Sequence, residues 1–184
     1  MKVALLGFFP GYGGAEKSLV TLANQLAKNG YEVNLIAIKH NNIPFRLEQN
    51  IKKTYIADTG SSKIRVLYNR FKKIKSTILN MEPDVIISFW FQLAFITEII
   101  SYNKSFVTIY SERGDPSDNE YAGINKVLRY FANRRIDGFV FQSKAAQNYF
   151  DEDIIKRSVI IRNPVTVNIN NSTDRNVLEK KIIN

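Results

Sequence analysis

Runs of apolar residues alternate along the chain with segments whose apolar positions recur every three or four residues. Val3 to Phe9 is continuously apolar and stops at Pro10-Gly11; this is the pattern of a strand buried on both faces, as in a parallel sheet covered by helices. From about Ala15 to Asn29 the residues Leu19, Leu22, Ala23 and Leu26 share one helical face, and Asn29-Gly30 supplies the stop. Further strands are predicted at Glu32 to Ile38, Thr54 to Ala57, Val85 to Trp90, Phe106 to Tyr110, Gly138 to Gln142 and Ser158 to Ile161. Helices are predicted from Ser62, as cap, to about Asn80, at Phe91 to Tyr102, at Glu120 to Arg135 and at Lys144 to Phe150. In the Ser62 helix, Ile64, Leu67, Phe71, Ile74 and Ile78 form one stripe, expected to face the core. In the Glu120 helix the inner face is Ile124, Val127, Leu128 and Phe131. Strand and helix alternate throughout, so the expected fold is α/β: a three-layer, doubly wound parallel sheet of six or seven strands, Rossmann-like in the broad sense.

Composition limits what this fold can carry. The chain has 184 residues, of which 45% are apolar and 23% charged, enough for one domain with its own core. From Thr166 the text turns to Asn, Ser, Thr and Asp, and Lys180 to Asn184 reads as the start of another strand. We therefore expect a domain over residues 1–165, and over 166–184 a linker leading into the first strand of a further, missing domain. Cysteine is absent and His40 is the single histidine, which excludes a disulfide framework, a thiolate zinc site and a histidine metal cage. No secretion signal is read at the amino terminus. The longest apolar stretch, Val85 to Ile100, contains Gln92 and Glu98 and falls short of the roughly 20 residues of a bilayer span. The expected compartment is the cytoplasm. The net charge of +9 favours anionic partners. The Ser62 helix concentrates Lys63, Arg65, Arg70, Lys72, Lys73 and Lys75 without an acidic residue, a face suited to an anionic bilayer, or simply to water. Arg129, Arg134 and Arg135 add to that basic surface.

In an open parallel sheet the ligand crevice lies beyond the carboxyl ends of the strands, so candidate chemistry is sought in the residues that follow each strand. The loop Pro10-Gly11-Tyr12-Gly13-Gly14-Ala15-Glu16 lets backbone approach a ligand, and the helix it opens aims free amides at any phosphate. It lacks the dinucleotide pattern Gly-x-Gly-x-x-Gly and the lysine of a P-loop. The competing readings are that the glycines serve the tight turn alone and that Glu16 complements the dipole of the helix it starts. Ser111-Glu112-Arg113-Gly114-Asp115-Pro116 sets two carboxylates and a guanidinium at a strand end. Arg113 suits phosphate or sugar hydroxyls and Glu112 suits an acceptor hydroxyl, unless the cluster is an exposed ion-pair turn. Trp90 fits either sugar stacking or the core, and Ser143 either a ligand contact or a helix cap.

Together Gly13-Gly14-Ala15-Glu16, Ser111-Glu112-Arg113-Gly114-Asp115-Pro116, Asp137 to Ser143 and Val159 to Val165 resemble the amino-terminal domain of GT-B fold glycosyltransferases of family four, over essentially Met1 to Val165. The Ser-Glu-Arg-x-Asp-Pro segment is similar to that of enzymes extending lipid-linked oligosaccharides for capsule, exopolysaccharide or glycan assembly. The resemblance implies retaining transfer of a sugar from a nucleotide-sugar donor to a lipid-linked or glycan acceptor, without a metal or other cofactor, peripheral to the inner face of the cytoplasmic membrane. It also implies roles. Gly13, Gly14 and Glu16 form the loop by the donor phosphates and acceptor hydroxyl, and Glu112 sits near the reacting centre as the catalytic candidate. Trp90, Arg113, Asp115 and Ser143 become acceptor contacts. Most donor contacts would belong to the missing domain, leaving the fragment alone inactive. The competing reading is a non-catalytic module binding phosphate or an anionic lipid surface. Nucleic-acid binding ranks last, because helices should cover the sheet on which bases would stack.

Overall fold

The computed structural model describes residues 1–102, 106–115, 127, 130 and 133–163. Seven strands, β1 (Lys2–Phe8), β2 (Glu32–Ile38), β3 (Lys52–Ile56), β4 (Val85–Ser88), β5 (Val107–Ser111), β6 (Gly138–Phe141) and β7 (Ser158–Ile160), form one sheet. Every neighbouring pair is parallel, in the order β3-β2-β1-β4-β5-β6-β7. The chain therefore builds from β1 towards β3, returns to place β4 on the other side of β1, and builds the opposite way. The reversal lies between β1 and β4, where a sheet of this kind opens its ligand crevice.

The pleat explains the layers. Val3 and Leu5 of β1 pack with Leu19, Val20 and Ala23 of α1 (Gly14–Lys28) on one face. Ala4 and Leu6 pack with Ile74 and Ile78 of α2 (Lys63–Met81) and Leu93 and Ile100 of α3 (Phe91–Ser101) on the other. Successive strand side chains point to opposite faces, so a strand covered on both sides must be apolar at every position. A third cluster, centred on Tyr110, Phe139 and Phe141, closes under the short helices Lys144–Asn148 and Glu152–Lys156. The second of these helices has no counterpart in the sequence expectation. At Gly7 there is no room for a side chain: a Cβ would collide with Leu19, and would lie 2.9 Å from Trp90.

Helix α2 departs from expectation. Ser62 caps it, its hydroxyl accepting from Arg65 N at 3.3 Å, but only the lower half of the apolar stripe is buried. Ile74 and Ile78 are fully buried and Phe71 half-buried, whereas Ile64 is 82% and Leu67 55% exposed. Length is the reason. Nineteen helical residues run about 28 Å, while strands of four or five residues run about 13–17 Å. The first turns of α2 therefore overhang the carboxyl edge of the sheet. Arg70 is also not a free basic residue. Its guanidinium forms a bidentate pair with Asp58, at 2.9 and 2.7 Å, and lies over the Phe8 ring. Arg65 reaches Ser61, and Lys73 reaches Thr59.

Of the expected Glu120 to Arg135 helix, residues 127, 130 and 133–135 are helical; Ile124, Leu128, Arg129 and Phe131 lie outside the described residues, as does the expected linker over 166–184. Near the amino edge of the sheet, Glu98 of α3 is 4% exposed. Arg135 Nε stands 2.9 Å from its carboxylate, but off the hydrogen-bonding direction, and neither Glu98 oxygen has a hydrogen-bond partner among the described residues. Burial raises the Glu98 pKa above its ordinary value; Arg135 pulls it back in part and Asp137 pushes it further up.

Candidate functional site

The carboxyl rim of the sheet gathers the loops after β1, β4, β5, β6 and β7. Gly13 is the extended residue before α1, and no side chain caps that helix. The two glycines have different work. A Cβ on Gly13 would run into the Glu16 carboxylate, which folds back over it and leaves Glu16 only 5% exposed, whereas a Cβ on Gly14 would meet nothing within 4 Å. Gly13 thus makes room for the protein's own acid, which offsets the positive end of α1. The open face of the loop is at Gly14. Trp90, the residue before α3, packs edge-on against Phe8 at 5.5 Å and tilted against Phe89 at 6.4 Å, as a wedge between the two main cores at the switch point.

After β5 the polar residues interlock. Glu112 is 1% exposed; its Oε2 accepts from the Tyr110 hydroxyl at 2.6 Å and its Oε1 from the Gly114 amide at 2.9 Å. The carboxylate therefore folds inward and shapes the turn that carries Arg113 and Asp115. Arg113 Nε donates to Ser111 Oγ at 2.9 Å, and its Nη1 donates to the Ile161 carbonyl at 3.1 Å and to Asn163 Oδ1 at 2.8 Å. The same guanidinium lies over the Phe89 ring, 5.2 Å from its centre. Burial pulls its pKa below the ordinary arginine value, and it still carries its charge, since arginine does not deprotonate in proteins.

Asn163, which the sequence marks as a residue following the last strand but to which it assigns no role, is the junction. Besides receiving Arg113, its Oδ1 accepts from Ser18 Oγ of α1 at 3.1 Å, and its Nδ2 donates to Gln142 Oε1 at 2.9 Å. Gln142 in turn donates to the carbonyls of Arg113 and Gly114, each at 3.4 Å. One amide side chain thus joins the first turns of α1 to the ends of β5, β6 and β7. Asn-Pro at a strand end is the signal that marks its place; the Ser18 contact left no trace in the pattern. Ser143 caps the helix Lys144–Asn148, accepting from Ala146 N at 3.1 Å. With Asp115 it also lines a cleft of about 410 Å³ whose other walls include Gln142 and Tyr149.

The structure thus brings Arg113 together with Ser18 of α1 and with the β6 end, and it places Asp115 and Ser143 in one cleft. Trp90 stands at the switch point, packed among aromatic rings. The basic residues of α2 lie apart from this network.

An all-parallel sheet with its first glycine loop, a half-buried arginine and a polar junction all on the carboxyl rim is a Rossmann-like α/β domain. The chain belongs to Glycosyltransferase Family 4, whose family model matches residues 12–168. It is similar, at 33% identity over 93 residues, to a Campylobacter jejuni α-1,4-N-acetyl-D-galactosaminyltransferase named for a GalNAc-GalNAc-diNAcBac-PP-undecaprenol substrate; the match covers 48% of this chain and 26% of that protein. Among solved structures, Anabaena HepE, crystallised with UDP-glucose, superposes with a TM-score of 0.73 at 20% identity, covering 99% of this chain and 50% of that one. A glycosyltransferase from Rickettsia africae superposes with a TM-score of 0.67 at 14% identity, covering 100% and 50%. The chain spans about half the length of these structures.

Proposed function

We propose that this chain is the acceptor-side half of a retaining glycosyltransferase that moves a sugar from a nucleotide sugar to a lipid-linked glycan. The observation that carries this reading is the interlocked rim, with the open face of Gly14 on one side and the Arg113–Asn163 junction on the other, in a Family 4 chain. In the reaction the bond between the anomeric carbon and the nucleotide diphosphate breaks, and a bond from that carbon to the acceptor oxygen forms on the same face. The hydroxyl proton leaves with the diphosphate. Charge accumulates on the leaving diphosphate, so fixed donors aimed there supply the main stabilisation. The α1 amides open at Gly14 suit that part on this half, and no metal or other cofactor is invoked. Glu112 acts here by holding the turn through the Gly114 amide, so that Arg113 and Asp115 are set before the acceptor arrives.

Two observations support a lipid-linked acceptor and a station on the inner face of the cytoplasmic membrane. The Campylobacter relative is named for a polyprenyl-diphosphate glycan. The overhanging turns of α2 expose Ile64, Leu67 and Tyr68 beside Lys63, Lys72 and Lys75, an apolar strip with a cationic border. The test is transfer by the intact gene product from labelled nucleotide hexoses to a set of prenyl-diphosphate glycans, with and without EDTA. Metal-independent transfer with retained anomeric configuration is expected. Binding of nucleotide sugar and glycan without any transfer would establish the non-catalytic module instead.

A further inference from the structure

The loop that opens α1 is held by little. A Cβ at Gly11 or at Gly14 would meet nothing within 4 Å, no side chain caps the helix, and Tyr12 is exposed, touching Phe45 edge-on at 5.9 Å. Leu19, Val20 and Ala23 hold α1 down on the sheet, but apolar contact is non-directional and does not by itself aim the first turn. A hydrogen bond is directional. The first turns of α1 make such a bond: Ser18, only 5% exposed, donates from Oγ to Asn163 Oδ1 at 3.1 Å. Asn163 follows β7 at the edge of the sheet and α1 follows β1 at its middle, so the bond crosses the switch point between β1 and β4. Asn163 is itself fixed, because Arg113 Nη1 donates to the same Oδ1 at 2.8 Å and Gln142 Oε1 accepts from its Nδ2 at 2.9 Å.

We infer that Asn163 is a positioning residue of the transfer: acting through Ser18, it sets the first turn of α1, and with it the amides open at Gly14, against the leaving diphosphate. The path is short. In an α-helix each amide closes on the carbonyl four residues back, so Ser18 is bonded through its backbone to Gly14 and through its side chain to Asn163. Donors that stabilise charge in a transition state must be aimed before that charge forms, and a misplacement of about 1 Å can cost about a hundredfold in rate. An asparagine suits the part. Its oxygen takes one donor from each side of the crevice, Ser18 and Arg113, while its NH2 group holds Gln142. Asn163 touches no reacting atom in this scheme. The role in transfer rests on the proposed glycosyltransferase activity; the tie from Ser18 to Asn163 does not.

Two measurements test the role. In the intact gene product, Ser18→Ala and Asn163→Ala are each expected to lower kcat about tenfold while KM for either substrate changes by less than about threefold. The double variant should lose little more than the larger single loss, since both changes break one path. Asn163→Asp keeps an oxygen for Ser18 and Arg113 but sets a carboxylate against Gln142 Oε1, so it should recover most of the rate. In this 184-residue chain, Asn163→Ala should quicken hydrogen exchange at the Lys17 amide, which closes on the Gly13 carbonyl at 3.1 Å, about tenfold more than at the Leu26 amide towards the other end of α1. Circular dichroism verifies that each variant is folded. With an active wild type, an unchanged kcat in Ser18→Ala, a loss carried by KM alone, an Asn163→Asp as slow as Asn163→Ala, or unchanged exchange at Lys17 would overturn the positioning role and leave the transferase reading standing. A wild type that transfers no sugar would overturn both.

Discussion

Replacing Arg113 by lysine keeps the charge and removes the fork. The guanidinium makes three hydrogen bonds, to Ser111, Ile161 and Asn163, and covers Phe89; a lysine ammonium at the same depth reaches one of those acceptors and stacks poorly. Hydrogen bonds to a charged group contribute about 1.5–3 kcal/mol each. Two are lost, but the Ile161 carbonyl lies near the surface, where water replaces much of its bond. The expected cost is therefore about 2–3 kcal/mol. With a urea m-value of about 2 kcal/mol/M for a domain of this size, the unfolding midpoint should fall by roughly 1 M. Damage should be greatest at the far edge of the sheet, so hydrogen exchange should quicken at the Ile161 amide, which pairs with the Phe141 carbonyl, more than at the β1 amides. Arg113 and Asn163 share one bond, so Arg113→Lys and Asn163→Ala should couple by about 0.5–3 kcal/mol in a double-mutant cycle. An unchanged urea midpoint, or strictly additive variants, would refute the view that this arginine is the tie between β4, β5 and β7.

Glu98 gives a prediction with a defined sign. Its native pKa is raised above 4.5, so the folded state holds the proton longer than the unfolded one, and its ionisation costs stability as pH climbs from about 4.5 to the raised native value. Glu98→Gln should gain on the wild type steadily through that window and hold a constant advantage above it, read from urea midpoints at a series of pH values; an advantage independent of pH contradicts the assignment. On α2, reversing Lys72 and Lys75 to glutamate should lower partition onto vesicles rich in anionic lipid by at least about thirtyfold, at roughly 1 kcal/mol per basic residue. Equal co-sedimentation of variant and wild type would remove α2 as a membrane-facing surface.

Much of the sheet was legible from the chain because burial on both faces demands continuous apolar strands. Val3 to Phe9 and Leu35 to Ile38 therefore announce a covered parallel sheet, and the Ser62 cap announces α2. The places that needed tertiary structure are those where the deciding partner is distant in sequence. The stripe from Ile64 to Ile78 is uniform as text, yet the sheet beneath it ends half-way along, so the same pattern yields core at Ile74 and open surface at Ile64. Arg70 reads as one of six cations until Asp58 is found against it. The adjacent glycines Gly13 and Gly14 look alike, and only the folded-back carboxylate of Glu16 separates them. Periodicity reports whether a residue meets apolar matter or water, because that is the contrast a helix or strand repeats along its length. Which residue it meets is set by strand order. That order put Ser18, Arg113, Gln142 and Asn163 within hydrogen-bond reach of one another, and no local pattern records it.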